Sequence, residues 1–181
     1  MNDDYLRHIT KIDHSVISDI TKTYWKDVWN YAFLITKDPN QSNDIAQDVF
    51  VKAFKSIGSY RGEGSVKAWL LAITRNTAYT YLRSAFFRKV TLSPVVLLNA
   101  SGDSAEKEFF DKNLINEVWL AVMDLPRHYR EVVVLDAQFE MSVEEISSFL
   151  GISKGTVKSR IHRARKILTK KFKEEDGYVR E

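Results

Sequence analysis

Residues 142–168 read SVEEISSFLGISKGTVKSRIHRARKIL, and this stretch leaves the chain few folds to choose from. Ser142 and Glu145 have the S-x-x-E spacing of a capping box, in which each side chain accepts from the other residue's backbone N–H at the start of a helix. Val143, Ile146, Phe149 and Leu150 give that helix an apolar face. Gly151 is suited to the positive φ that closes a helix, and Ser153 to capping the next one. Val157, Ile161, Ala164 and Leu168 then recur at steps of four, three and four residues, the stripe of an amphipathic helix. A short helix, a tight glycine turn and a second amphipathic helix make a helix-turn-helix.

The rest of the chain is expected to be helical as well, giving an all-α fold. No convincing alternating strand is present. Ile17, Ile20, Tyr24, Val28 and Tyr31 recur at three- and four-residue steps. Residues 37–44, KDPNQSND, read as a turn because of Pro39 and the cap-type residues Ser42, Asn43 and Asp44, with a helix from about Asp44 to Ile57. GSYRGEGS, residues 58–65, reads as a glycine-rich loop, followed by a helix from about Val66 to Arg83. Its apolar stripe is Val66, Trp69 or Leu70, Ile73, Thr77 and Tyr81. Periodicity fails between about Ala85 and Asp111, where a Ser-Pro step and an Asn-Ser-Gly run interrupt it. It resumes with Leu114, Val118, Ala121 and Leu125, then with Tyr129, Val132, Val133 and Leu135 behind Pro126. A structureless segment of about twenty residues is unusual inside one compact domain. Two domains are therefore expected, residues 1–88 and 113–173, joined by a linker at 89–112 and followed by a tail at 174–181. The apolar run Val95 to Leu98 is the linker's one candidate for docking.

Charge narrows the function. Lys52 to Lys89 holds eight bases and one acid, Asp103 to Glu145 eleven acids and four bases, and Lys154 to Lys173 nine bases and no acid. Two basic blocks with an acidic one between them suit two contacts with one nucleic acid. A solvated helix face mixes signs for i,i+4 support; the face opposite Val157, Ile161 and Ala164 instead carries Lys158, Ser159, Arg163 and Lys166, flanked by Thr156, Arg160 and His162. The first turn, Lys154-Gly155-Thr156, offers backbone N–H groups to a phosphate. In DNA-binding helix-turn-helix proteins the second helix enters the major groove in this way. A wet helical hairpin is the bland alternative.

Other function classes find little support. The chain has no cysteine, so disulfides and cysteine zinc sites are excluded and a reducing interior is compatible. His8, His14, His128 and His162 are scattered without metal-ligand spacing, and no phosphate loop of the G-x-x-x-x-G-K type occurs. No catalytic residue, metal or cofactor is expected. The longest apolar runs are far short of a membrane span, and the acidic start MNDDYLRHIT lacks an apolar signal core. Cytoplasmic residence without membrane insertion is the simplest expectation.

GISKGTVKSRIHRARKIL, with LPRHYREVVVL at 125–135 before it, resembles domain four of the extracytoplasmic-function (ECF) sigma factors, the small alternative sigma subunits of bacterial RNA polymerase. LuxR-type response regulators share part of that pattern, but NDIAQDVFVKAFKSIGSYRGEGSVKAWLLAITRNTAYTYLR, residues 43–83, resembles domain two of the same sigma family. A response regulator would instead open with an α/β phospho-acceptor domain, and no such pattern is visible in these residues. Taken with the segments between them, the two matches run from residue 43 to residue 168.

The resemblance implies specific contacts. The polar face of Asp44, Gln47 and Asp48 docks on the β′ clamp helices of core polymerase, with the β flap as a further contact. On residues alone, Asp44 as a helix cap and Asp48 as a solvated acid remain open, and an i,i+4 carboxylate pair without a third ligand does not make a metal site. The helix after the glycine loop reads single-stranded −10 DNA. Asn76 is the candidate base-edge reader, with Arg61, Arg75 and Arg83 on phosphates and Tyr79 and Thr80 beside them; aromatic walls, a polar reader and basic groups are what a flipped base requires. Trp69 suits the core better than a stacking platform. Lys154, Thr156, Lys158, Ser159, Arg160, His162, Arg163 and Lys166 meet the −35 duplex. Family members are often held by an anti-sigma factor, a further expected partner. Thr80 stands where many members carry Asp, Ser147 where Ala is common and Val66 where an aromatic is frequent. The runner-up is a stand-alone helix-turn-helix regulator that never binds polymerase.

Overall fold

The structure, a computed structural model, describes residues 14–57, 65–91 and 116–178, with side chains for 16–57, 65–84 and 117–173. All regular elements there are helices, so the all-α expectation holds. They are α1 (His14–Thr36), α2 (Pro39–Ser56), α3 (Val66–Thr91), α4 (Asn116–Asp124), α5 (Arg127–Ala137), α6 (Val143–Leu150) and α7 (Lys154–Tyr178). The chain divides into two compact units, residues 1–106 and 107–181. The expected contacts of Arg61 and the expectations for the linker run Val95 to Leu98 and for Leu114 lie outside the described residues.

In the first unit α1, α2 and α3 each pack on the other two. The α1 stripe closes much as its periodicity predicts: Ile20, Tyr24, Val28 and Tyr31 are buried and Ile17 is half-buried. The last turns of α1 go further, with Tyr31 through Ile35 all buried. Chain direction reverses over two residues. Lys37 takes a left-handed φ of 57° and its N–H closes on the Phe33 carbonyl at 2.8 Å.

The turn expected over 37–44 is a correction. Asp38 is the N-cap of α2 and Pro39 its first-turn proline, so the helix begins about five residues before Asp44. Asp38 Oδ1 accepts the Gln41 N–H at 3.0 Å and Oδ2 accepts the Gln41 side-chain amide at 2.6 Å. Ser42, read as a cap, is a buried helical residue whose hydroxyl donates to the Asp38 carbonyl at 2.6 Å. Asp44 lies inside the helix and caps nothing. The helix expected to end near Arg83 runs on to Thr91. Within it Val66, Leu70, Leu71, Thr74, Thr77 and Ala78 are buried, while Trp69, Ile73 and Tyr81 are half-buried. Leu70, not Trp69, is the core member of the stripe.

In the second unit α7 is the common partner of α4, α5 and α6. Leu125, Val133 and Ala164 form a cluster on which Tyr129 and Leu168 pack. Ala121 and Leu125 of the expected stripe are buried, but Val118 is 55% exposed, and Val122 and Met123 are buried in addition. The core also contains Arg130 and Glu131, which periodicity does not single out. The Arg130 guanidinium donates to the Met123 carbonyl at 2.7 Å, occupying one of the carbonyls that the end of α4 leaves open.

Local signals build the helix-turn-helix as read. Ser142 Oγ accepts the Glu145 N–H at 3.2 Å, and Glu145 Oε2 accepts the Ser142 N–H at 2.8 Å, completing the capping box. These bonds from Ser142 hold the Glu145 carboxyl below its ordinary range. Because the folded value is depressed, this contribution to stability is present above the ordinary glutamate range and is lost as pH falls through the folded value. Ser142→Ala is expected to cost about 1 kcal/mol of stability and to flatten the acid limb of the pH–melting profile, checked by circular-dichroism melts of the whole chain. Gly151 sits at φ 67° with its N–H on the Ser147 carbonyl. Ser147, the departure from a common alanine, donates its hydroxyl to the Ile152 carbonyl at 2.6 Å and so braces the turn.

Candidate nucleic-acid interface

The second helix of the pair, α7, has two faces. Val157 and Ala164 are fully buried and Ile161 nearly so, and Ala164 is a member of the cluster described above. Burying side chains of this size contributes roughly 1.5–3 kcal/mol for each of the larger ones, which fixes the rotation of α7 about its own axis. The opposite face is thereby committed to solvent. Lys154, Lys158, Ser159, His162, Arg163 and Lys166 are exposed, and Thr156 and Arg160 half-buried. All eight −35 candidates therefore lie on the accessible part of one helix.

Ion pairs sort the basic run. Arg165 meets Asp136 of α5 at 2.6 Å, and Lys171 pairs with Asp124 of α4. These two bases brace α7 against its own unit and stand outside the candidate set. Lys154 is a candidate with a present partner: its ammonium is 2.7 Å from Glu144 of α6. The Glu144 carboxyl is held below its ordinary range, chiefly by that bond. Both groups are more than half exposed, so the pair is weak and a phosphate can compete for the lysine. At the N-terminus of α7 the Ser153 hydroxyl accepts the Thr156 N–H at 3.1 Å. The cap thus occupies one of the first-turn donors proposed for phosphate.

A second candidate surface lies on α3. Arg75, Asn76, Tyr79, Thr80 and Arg83 share one side of the helix. The Arg75 guanidinium lies 4.9 Å from the centre of the Tyr79 ring, a cation–π pair. Asn76, Thr80 and Arg83 are exposed. The Thr80 hydroxyl donates to the Asn76 carbonyl at 2.9 Å, and Arg83 reaches the Thr80 hydroxyl at 3.4 Å. The side therefore combines an aromatic ring, a free-standing amide and two guanidinium groups, which is chemistry suited to an unstacked base and its backbone.

The third surface is on α2. Asp44 and Gln47 are exposed and Asp48 is half-buried. Asp48 is not simply solvated: its Oδ2 accepts the Tyr81 hydroxyl of α3 at 2.7 Å. One further residue belongs to this face and was missed from sequence. Val51 follows Asp44 by two turns and is 51% exposed, an apolar spot beside the acids. Its i+7 and i+4 spacing from Asp44 and Gln47 was the available signal.

Among the described residues, no helix is long and apolar enough to cross a membrane, and no group of three or more His, Cys, Asp or Glu could hold a metal ion.

Comparison with known proteins agrees with the two-part organisation. Residues 20–86 match the family model of sigma-70 region 2, and residues 115–168 match that of sigma-70 region 4. The chain is 30% identical over 165 residues to RNA polymerase sigma factor YlaC of Bacillus subtilis, covering 88% of this chain and 95% of that protein. It is 32% identical over 153 residues to the ECF RNA polymerase sigma factor SigM of the same organism, covering 84% and 92%. Its fold is similar to that of the sigma factor RpoE of Bartonella quintana, solved in complex with the anti-sigma factor NepR, with a TM-score of 0.66 at 24% identity, covering 86% of this chain and 96% of that one.

Proposed function

Because this chain belongs to the ECF branch of the sigma-70 family, we propose that it binds core RNA polymerase and directs it to a particular set of promoters. The second unit grips the −35 duplex through α7, the α3 side takes up melted −10 DNA, and the α2 face docks on the β′ clamp helices. The β flap is a further contact. The chain supplies recognition and assigns the chemistry of RNA synthesis to the polymerase. It works in the cytoplasm. Since the Bartonella quintana relative is bound to an anti-sigma factor, we extend a partner of that kind to this chain.

The observation that carries the reading is the two-faced α7. Its inner face is the core of its unit, and its outer face presents Lys158, Ser159, Arg163 and Lys166 with no acid among them. That arrangement fits a major groove lined by phosphates. Three chemically distinct surfaces on one chain also suit a protein that must meet both a polymerase and DNA.

The test is capture of core RNA polymerase by the purified chain, followed by transcription from a promoter library. Capture together with a defined set of start sites is the expected result. Tight, sequence-specific duplex binding by the chain alone, without capture of core enzyme, would replace this reading with a stand-alone regulator.

A further inference from the structure

We infer that Tyr81 is a positioning residue for polymerase docking: its phenol holds the Asp48 carboxylate in place for the β′ contact. The inference rests on the reading of the Asp44–Asp48 face as the docking surface.

Two cross-links join α2 to α3. Asp48 Oδ2 accepts from the Tyr81 hydroxyl at 2.7 Å, and Lys52 Nζ donates to the Thr77 hydroxyl at 3.1 Å. Each step of four residues forward on α2 meets a step of four back on α3, so the bonds are successive rungs between antiparallel helices. An aspartate and a lysine at i,i+4 on one helix commonly pair with each other. Here both are engaged across the helix pair.

The two rungs differ in what they fix. Thr77 is buried, so the Lys52 bond ends in the core. Tyr81 is half-buried, and the carboxylate it holds belongs to an outward-facing group. A carboxylate has about four acceptor sites on two oxygens, and the phenol uses one of them. The rest stay open to a cation or N–H of a partner. Holding the carboxylate before binding also spares the partner the entropy of ordering it. Tyr81 lies on the same helix as the −10 candidates Asn76, Tyr79, Thr80 and Arg83, so one helix both reads DNA and sets the docking face.

The experiment measures affinity of the full-length chain for core RNA polymerase in four variants. Tyr81→Phe keeps the ring and removes only the hydroxyl; it is expected to bind about five-fold more weakly. Asp48→Ala is expected to bind about thirty-fold more weakly. The double variant should match Asp48→Ala within about two-fold, since the hydroxyl has nothing left to hold. Thr77→Val breaks the other rung and serves as a control for helix register; its affinity should stay within about two-fold of wild type. Circular dichroism checks that each variant is folded. Wild-type affinity in Tyr81→Phe, losses that multiply in the double variant, or an equal loss in Thr77→Val each overturn the role of Tyr81 while leaving the docking face in place. Wild-type affinity in Asp48→Ala removes the docking face, and the inference with it.

Discussion

Asp48→Arg is expected to abolish capture of core RNA polymerase, with a loss of about 100-fold or more in affinity. Truncating one member of a desolvated charge pair at an interface costs about 2–5 kcal/mol. Reversal adds repulsion against whatever cation the carboxylate meets. It also strips the Tyr81 hydroxyl of its acceptor. The measurement is pull-down of core enzyme at two salt concentrations, with melting as the check on folding. Asp44→Arg, on the exposed part of the same face, should lose less, and more of its loss should disappear at high salt. Capture by Asp48→Arg at wild-type level would keep the family assignment and move the docking face elsewhere on the unit.

The second large effect is expected at Arg163. Arginine reads guanine through two parallel hydrogen bonds, and a good pair is worth about 1–3 kcal/mol of discrimination. Arg163→Ala in the assembled holoenzyme should therefore weaken −35 binding by about ten- to hundred-fold and relax the preference at one base position. Lys166→Ala should behave differently. Its loss should be nearly uniform across sequences, and the slope of log affinity against log salt should shrink by about one. Selection from a randomised −35 element separates the two. Arg165→Ala is the control, because that guanidinium is already held by Asp136; it should alter stability more than promoter choice. A unit that loses specificity through Arg165 instead would mean that α7 meets DNA along a different edge.

How much was legible in the sequence depended on the range of the interaction. The helix-turn-helix rests on contacts within a few residues: Ser142 with Glu145, Gly151 with Ser147, and Ser153 with Thr156. Such signals survive in a linear string. The start of α2 was misread although its signal is equally local, because Ser42, Asn43 and Asp44 resemble caps as strongly as Asp38 does. Pro39 decides between them, since proline fits the first turn. Val118 was assigned to a core by extending a stripe whose neighbours turned out to supply the packing. Arg130 could not be placed inside from its residue type, since burial of arginine depends on a carbonyl from another helix. The Asp48–Tyr81 bond joins residues 33 positions apart, and no local pattern announces it. The candidate DNA residues, by contrast, were readable as a set. Apart from Arg61, which lies outside the described residues, their grouping on α3 and α7 follows from helical spacing.

The two faces of α7 also bear on how such proteins diverge. Val157, Ile161 and Ala164 answer to folding, and six of the eight outward candidates are exposed. Substitutions at exposed positions usually change stability by only about 0.5 kcal/mol. On the proposed −35 role, a copy arising by gene duplication can exchange Lys158, Ser159 or Arg163 and acquire a new set of promoters while its unit folds as before. Thr156 and Arg160, half-buried at the seam, are the positions where a lineage would have to compensate. Mutational drift therefore has an open path toward new promoters and a restricted one toward a new scaffold.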